Sequence, residues 1–92
     1  MMDTFSGQSY AAFTTTAGAA KARAGRISKI VITSGVTGSI TIYDNPAAAS
    51  GTIVYVSAAN PTAGTVIPVD VPVRSGIWVV PGSAGGFNVV YS

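Results

Sequence analysis

The chain has 92 residues and a formal net charge of +2, with charged side chains at 9% of positions, well below the level of about a quarter usual in globular proteins. It contains no His, no Cys and no Glu, and its carboxylates are Asp3, Asp44 and Asp70. Disulfides and thiolate zinc sites are therefore excluded, a serine nucleophile lacks its usual base, and 48% hydrophobic residues argue against an intrinsically disordered chain.

In chain order, no basic start with an apolar stretch behind it opens the sequence, so no signal peptide is expected. Residues 8–15 predict a first strand, with Tyr10 and Phe13 on opposite faces. The Ala/Gly-rich stretch 17–25 predicts a turn and a short extended segment. Residues 26–33 predict a central strand, apolar on both sides, with Ile27 and Val31 on one face and Ile30 and Ile32 on the other. A turn is expected at 34–38, closed by Gly38, and residues 39–43 return with Ile40 and Ile42 inward, pairing with 26–33 as a hairpin.

Asp44-Asn45-Pro46 opens a connection that runs to Gly51, because Asx residues and Pro favour turns. Residues 52–57 form the next strand, and Asn60-Pro61 and Gly64 mark a loop. Residues 66–73 alternate cleanly, Ile67, Val69, Val71 and Val73 against Pro68, Asp70 and Pro72. Two prolines remove ladder donors, so this strand belongs at a sheet edge. Ser75-Gly76 turns the chain into 77–80, residues 81–86 make a loop, and 87–91 form the last strand. The whole reads as an all-β fold, a single small antiparallel β-sandwich or jelly-roll-like barrel of about seven strands. The expected division is an N-terminal arm with a first short strand over 1–25 and a β-sandwich core over 26–92.

Candidate chemistry is sparse. Asp44 lies in a turn and Asp70 on an edge strand, with no His, Cys or Glu to assist them, so no catalytic residue is assigned. The Asp44-Asn45 pair is expected to cap its own turn by side-chain to backbone hydrogen bonds. The glycines of 82–86 lie between two strands, whereas phosphate-cradling loops lead into a helix, so a hairpin loop is expected and no cofactor site. No metal site is expected either. Lys21, Arg23, Arg26 and Lys29 fall within nine positions and hold four of the five cations. No aromatic side chain is interleaved with them for base stacking, which argues against nucleic acid. They suit instead a basic edge that meets an acidic protein surface. Trp78 suits the core or a subunit interface, or, with the tyrosines, a glycan-stacking platform. The residues expected at a subunit or partner contact are Lys21, Arg23, Arg26, Lys29, Tyr10, Phe13 and Trp78.

Ser9-Tyr10-Ala11-Ala12-Phe13, the run Gly25-Arg26-Ile27-Ser28-Lys29-Ile30-Val31-Ile32, and Thr41-Ile42-Tyr43-Asp44-Asn45 with Ala49-Ser50-Gly51-Thr52 carry a resemblance. So do Asp70-Val71-Pro72, Ser75-Gly76-Ile77 and the ending Val89-Val90-Tyr91-Ser92. Together they resemble small virion-associated proteins of tailed bacteriophages. The resemblance implies a β-sandwich module on the capsid surface, a decoration (cement) protein, with no catalytic residues. It implies the major capsid protein as a partner. The low charge density suits burial against identical subunits, a trimer being favoured, and no membrane partner is expected, with nucleic acid disfavoured, in a protein made in the bacterial host cytoplasm. Residues 1–25 are expected to reach a neighbouring subunit. The alternative expectation is a glycan-binding or adhesion module, in a head fibre or tail component.

Overall fold

The computed structural model describes residues 8–92. Eight strands follow one another: β1 (Ser9–Phe13), β2 (Gly18–Lys21), β3 (Gly25–Thr37), β4 (Thr41–Tyr43), β5 (Ile53–Val56), β6 (Val66–Val73), β7 (Ile77–Val80) and β8 (Ala84–Tyr91). They form two four-stranded antiparallel sheets, in the orders β1-β8-β3-β6 and β2-β7-β4-β5, packed as a sandwich with no closed barrel. Every connection crosses between the sheets except β4 to β5.

The two sheets differ in build. The first has long strands, with β3 spanning 13 residues and β6 and β8 eight each; no strand of the second exceeds four. The inner rows of the long-strand sheet follow from the pairings: Tyr91–Ile27–Val71, then Ala11–Val89–Ile30–Ile67, then Phe13–Phe87–Ile32. Ile40, Ile42, Ile77 and Val79 of the facing side complete the core.

Several sequence expectations are corrected by packing. Ile27, Ile30 and Ile32 all face inward, because register slips between Ile27 and Lys29 and resets the alternation. Of the turn expected at 34–38, residues 34–37 are strand, since β3 runs on to Thr37, and Gly38 alone, at φ 93, lies in the bend that follows. Val36 is buried in the strand, and two further register shifts beside β8 absorb the Ser34-Gly35 bend. Gly85 makes this possible: at φ 103 it adopts a left-handed conformation, and a Cβ on it would strike the Gly35 carbonyl. Residues 26–33 and 39–43 consequently form no hairpin, as β3 and β4 lie in different sheets. For the same reason 81–83 is a crossing between sheets and not a hairpin loop.

The expected place of residues 66–73 holds. β6 is an edge strand, and its alternation of half-buried valines with exposed prolines matches the pattern read from sequence. Beyond the end of β6, the Pro61–Thr65 loop continues its pairing along β3: Ile32 N–H donates to Thr65 O at 2.8 Å, and Val36 N–H to Pro61 O at 2.9 Å. The stretch expected as an arm contributes β1 and β2, the outer strands of the two sheets, and Phe13 to the core. Its residues 1–7 lie outside the described residues.

Candidate functional site

The basic stretch is distributed over the molecule by the crossing of the chain from β2 to β3. Lys21 ends β2 in the short-strand sheet, Arg23 sits in the following turn, and Arg26 and Lys29 stand on the outer face of the long-strand sheet. Arg26 is engaged: its Nε donates to Asp70 Oδ1 at 2.8 Å. The hydrogen bond and charge of Asp70 raise the guanidinium pKa further, and Arg26 in turn holds the Asp70 carboxyl below its usual value. Lys21 and Arg23 are brought together. They line an open cleft of about 680 Å³ with Gln8, Ser9, Tyr91 and Ser92, where the flanks of β1 and β2 part.

The aromatic candidates separate as well. Phe13 is a core residue, its ring stacked on Phe87 with centroids 5.7 Å apart, so its side chain is engaged within the fold. Tyr10, on the opposite face of β1, is 68% exposed. Trp78 points to the outer face of the short-strand sheet, where pairing sets it between Ala19 and Tyr43. Its indole N–H is buried and has no hydrogen-bond partner among the described residues.

Pairing also fixes what each broad face presents. On the long-strand sheet the outer rows are Tyr10–Val90–Lys29–Pro68 and Ala12–Asn88–Val31–Val66. On the short-strand sheet they are Trp78–Tyr43–Ile53 and Val80–Thr41–Val56, which carry no charge at all. Ile53, Val56 and Val66 are each about half exposed. The sequence showed these residues as strand formers but not that they share faces, because the facing depends on which strands become neighbours.

The polar groups that are well positioned act within the fold. Asp44 Oδ1 accepts from Ser75 N–H at 2.7 Å and from Arg74 N–H at 3.1 Å, and Oδ2 from Arg74 N–H at 3.0 Å. These backbone hydrogen bonds, Arg74 first and Ser75 next, hold the Asp44 carboxyl below the usual aspartate range. Asp44 thus clamps the β6–β7 turn, correcting the expectation that it caps its own. Asn45 does cap its own turn, accepting from Ala47 N–H at 2.8 Å and Ala48 N–H at 2.9 Å. Gly76 lets the two turns meet, since a Cβ there would lie 2.6 Å from Pro46 Cα. Ser57, the buried polar residue of the core, accepts from Ile40 N–H at 2.8 Å and donates to Ala58 O at 2.9 Å. Burial raises the Tyr55 phenol pKa. Among the described residues, no three His, Cys, Asp or Glu side chains converge as a metal site would require.

No protein-family model, curated protein or solved structure matches the chain. Among the described residues, the features available to a partner are two weakly charged sheet faces, the edge strands of the sheets, and the Lys21–Arg23 cleft.

Proposed function

We propose that the chain is a non-enzymatic structural protein of a tailed-phage virion, binding the capsid shell as a decoration protein that stabilises it. The observation that carries this reading is that both broad faces of the sandwich expose large apolar side chains: Tyr10 and Val66 on one, Ile53 and Val56 on the other. Such faces suit a protein covered by neighbours on more than one side. Apolar burial at junctions between capsomers supplies the attraction, and many symmetric copies multiply a modest contact through avidity. Lys21 and Arg23 would meet an acidic capsid surface and set orientation. The test is cosedimentation of the protein with shells of the major capsid protein encoded beside its gene. Binding that raises the shells' resistance to heat is expected. Absence of binding, or a gene neighbourhood without terminase, portal and capsid genes, overturns the reading.

A second reading, a glycan-binding or adhesion module, is favoured by one observation, the side-by-side Trp78 and Tyr43 on an outer sheet face. It predicts sugar binding on an array that is lost in Tyr43→Ala.

A further inference from the structure

Four strands end the two sheets: β1 and β6 in one, β2 and β5 in the other. An edge strand presents a row of unpaired backbone donors and acceptors, which proteins blunt with proline, charge, bulges or brevity. β6 uses three of these devices. Pro68 and Pro72 flank Asp70, which adopts φ 53, and register against β3 slips at this point. β2 is four residues long and slips register between Ala19 and Lys21. β5 is equally short, and its pairing with β4 is irregular. Among the described residues, which begin at Gln8, β1 has no such guard. Ser9-Tyr10-Ala11-Ala12-Phe13 keeps unbroken register with β8, from Ser9 opposite Tyr91 to Phe13 opposite Phe87, without a charge or a proline. Its Tyr10 is the most exposed large hydrophobic side chain among the described residues, beside a shallow apolar groove shared with Val90.

We propose that β1 is an interaction edge that pairs antiparallel with β1 of a second copy, joining the two long-strand sheets into one continuous sheet. This names the surface for the self-association in the reading above, and it does not depend on the capsid. What an open strand edge recognises is extended backbone, and the sequence of β1 makes a second copy the fitting source. A two-fold axis through Ala11 sets Tyr10 of each copy opposite Ala12 of the other, so each ring packs beside a methyl group. Inner residues stay inner and outer residues outer, because the axis is perpendicular to the sheet. Neither β1 nor β8 carries a charge. The nearest cation on this face, Lys29, is two strands inward. The two copies of Lys29 would stand five strand spacings apart, about 24 Å, well beyond the Debye length of about 10 Å. Lys21 and Arg23, which line the cleft beside Gln8 and Ser9, fall at opposite ends of the antiparallel pair, where Ser9 of each copy meets Phe13 of the other, so no cation faces another across this edge. A five-residue edge buries less than the roughly 800 Å² per partner of a standard interface. The pair is accordingly a weak, concentration-dependent dimer, not the trimer expected from the sequence.

The test uses the natural absence of cysteine. Tyr10→Cys and Ala12→Cys proteins, mixed and mildly oxidised, should cross-link to each other, while Val56→Cys on the exposed face of β5 should not. Light scattering on the unmodified protein should show a monomer–dimer equilibrium. The Tyr10→Lys/Ala12→Lys variant should weaken it by about tenfold or more, since each lysine then faces another, with far-UV circular dichroism unchanged because both side chains leave the outer face. If that variant misfolds, the cross-linking decides alone. A wild-type monomer at about 1 mM, a trimer mass, a dimer that survives the two lysines, or equal cross-linking through Val56→Cys overturns the proposal. None of these outcomes involves capsids, so failure here is distinct from failure of the virion reading.

Discussion

The two sheets of this sandwich are held by different means. The long-strand sheet has extended ladders and continuous inner rows of Ile, Val and Phe, so its stability lies in apolar burial along β3 and β8. The short-strand sheet has strands of three and four residues, too short to rely on their ladders alone. Its ends are fixed by side chains bonded to backbone: Asp44 on the β6–β7 turn, Ser57 on Ile40, Asn45 on its own loop. A chain poor in charge thus places its few polar groups where the ladders run out.

The largest loss is expected in the core of the long-strand sheet. Phe87 is 1% exposed and stacked on Phe13, and Phe87→Ala should cost about 3–5 kcal/mol through lost burial and the cavity left behind. A domain of this size has about 5–15 kcal/mol in total, so the variant should lose about a third or more of a typical stability and show a clearly lowered midpoint in a urea or thermal melt. A loss below about 1 kcal/mol would mean that the inner rows do not dominate this sheet.

For the short-strand sheet the decisive residue is polar. Asp44→Ala should cost about 2 kcal/mol, the range for hydrogen bonds to a charged acceptor. Its carboxyl is held low in the folded protein. That contribution is therefore complete above the unfolded aspartate value near 4 and lost as pH falls through the lower folded value. Melting temperature against pH should fall in acid for the wild type and fall less steeply for Asp44→Ala. Ser57→Ala should cost about 1–2 kcal/mol, because it leaves the buried Ile40 N–H without its acceptor. If both variants melt like wild type, the polar ends of this sheet are ornament and its strands suffice.

Much of this was legible in the sequence, and what was not has physical causes. Strand existence and the edge position of β6 follow from alternation and from two prolines at positions a central ladder would not tolerate. The inward turn of Ile27, Ile30 and Ile32 together was illegible, since one bulge reverses a period-two reading. The turn expected at 34–38 failed because Ser and Gly mark bends in strands as well as reversals. Burial of Val36 against the core decides between them, and no local signal reports it. Asp44 read as a local cap because its partners are about thirty residues away in sequence. The site candidates suffered most: sequence proximity grouped four cations that the sheet crossing then separates, and the shared faces of Trp78, Tyr43, Ile53 and Val56 appear only once strand neighbours are known.

The smallest effect is expected from a surface ion pair. Arg26 and Asp70 make the clearest ion pair among the described residues, at 2.8 Å, on the long-strand sheet. Both side chains are at least half exposed, so water and salt screen the attraction, and holding two flexible groups in register offsets what remains. Arg26→Ala should leave the melting temperature unchanged within error at physiological salt. Asp70→Asn should do the same, since Asn tolerates the left-handed backbone at this position as well as Asp does. A carboxylate with the same nominal charge thus matters at position 44 and not at position 70, because only the first accepts from backbone groups that fix where one turn meets another. Should Arg26→Ala destabilise as much as Asp44→Ala, the long-strand sheet would also depend on a surface polar contact, and the two sheets would not differ in kind.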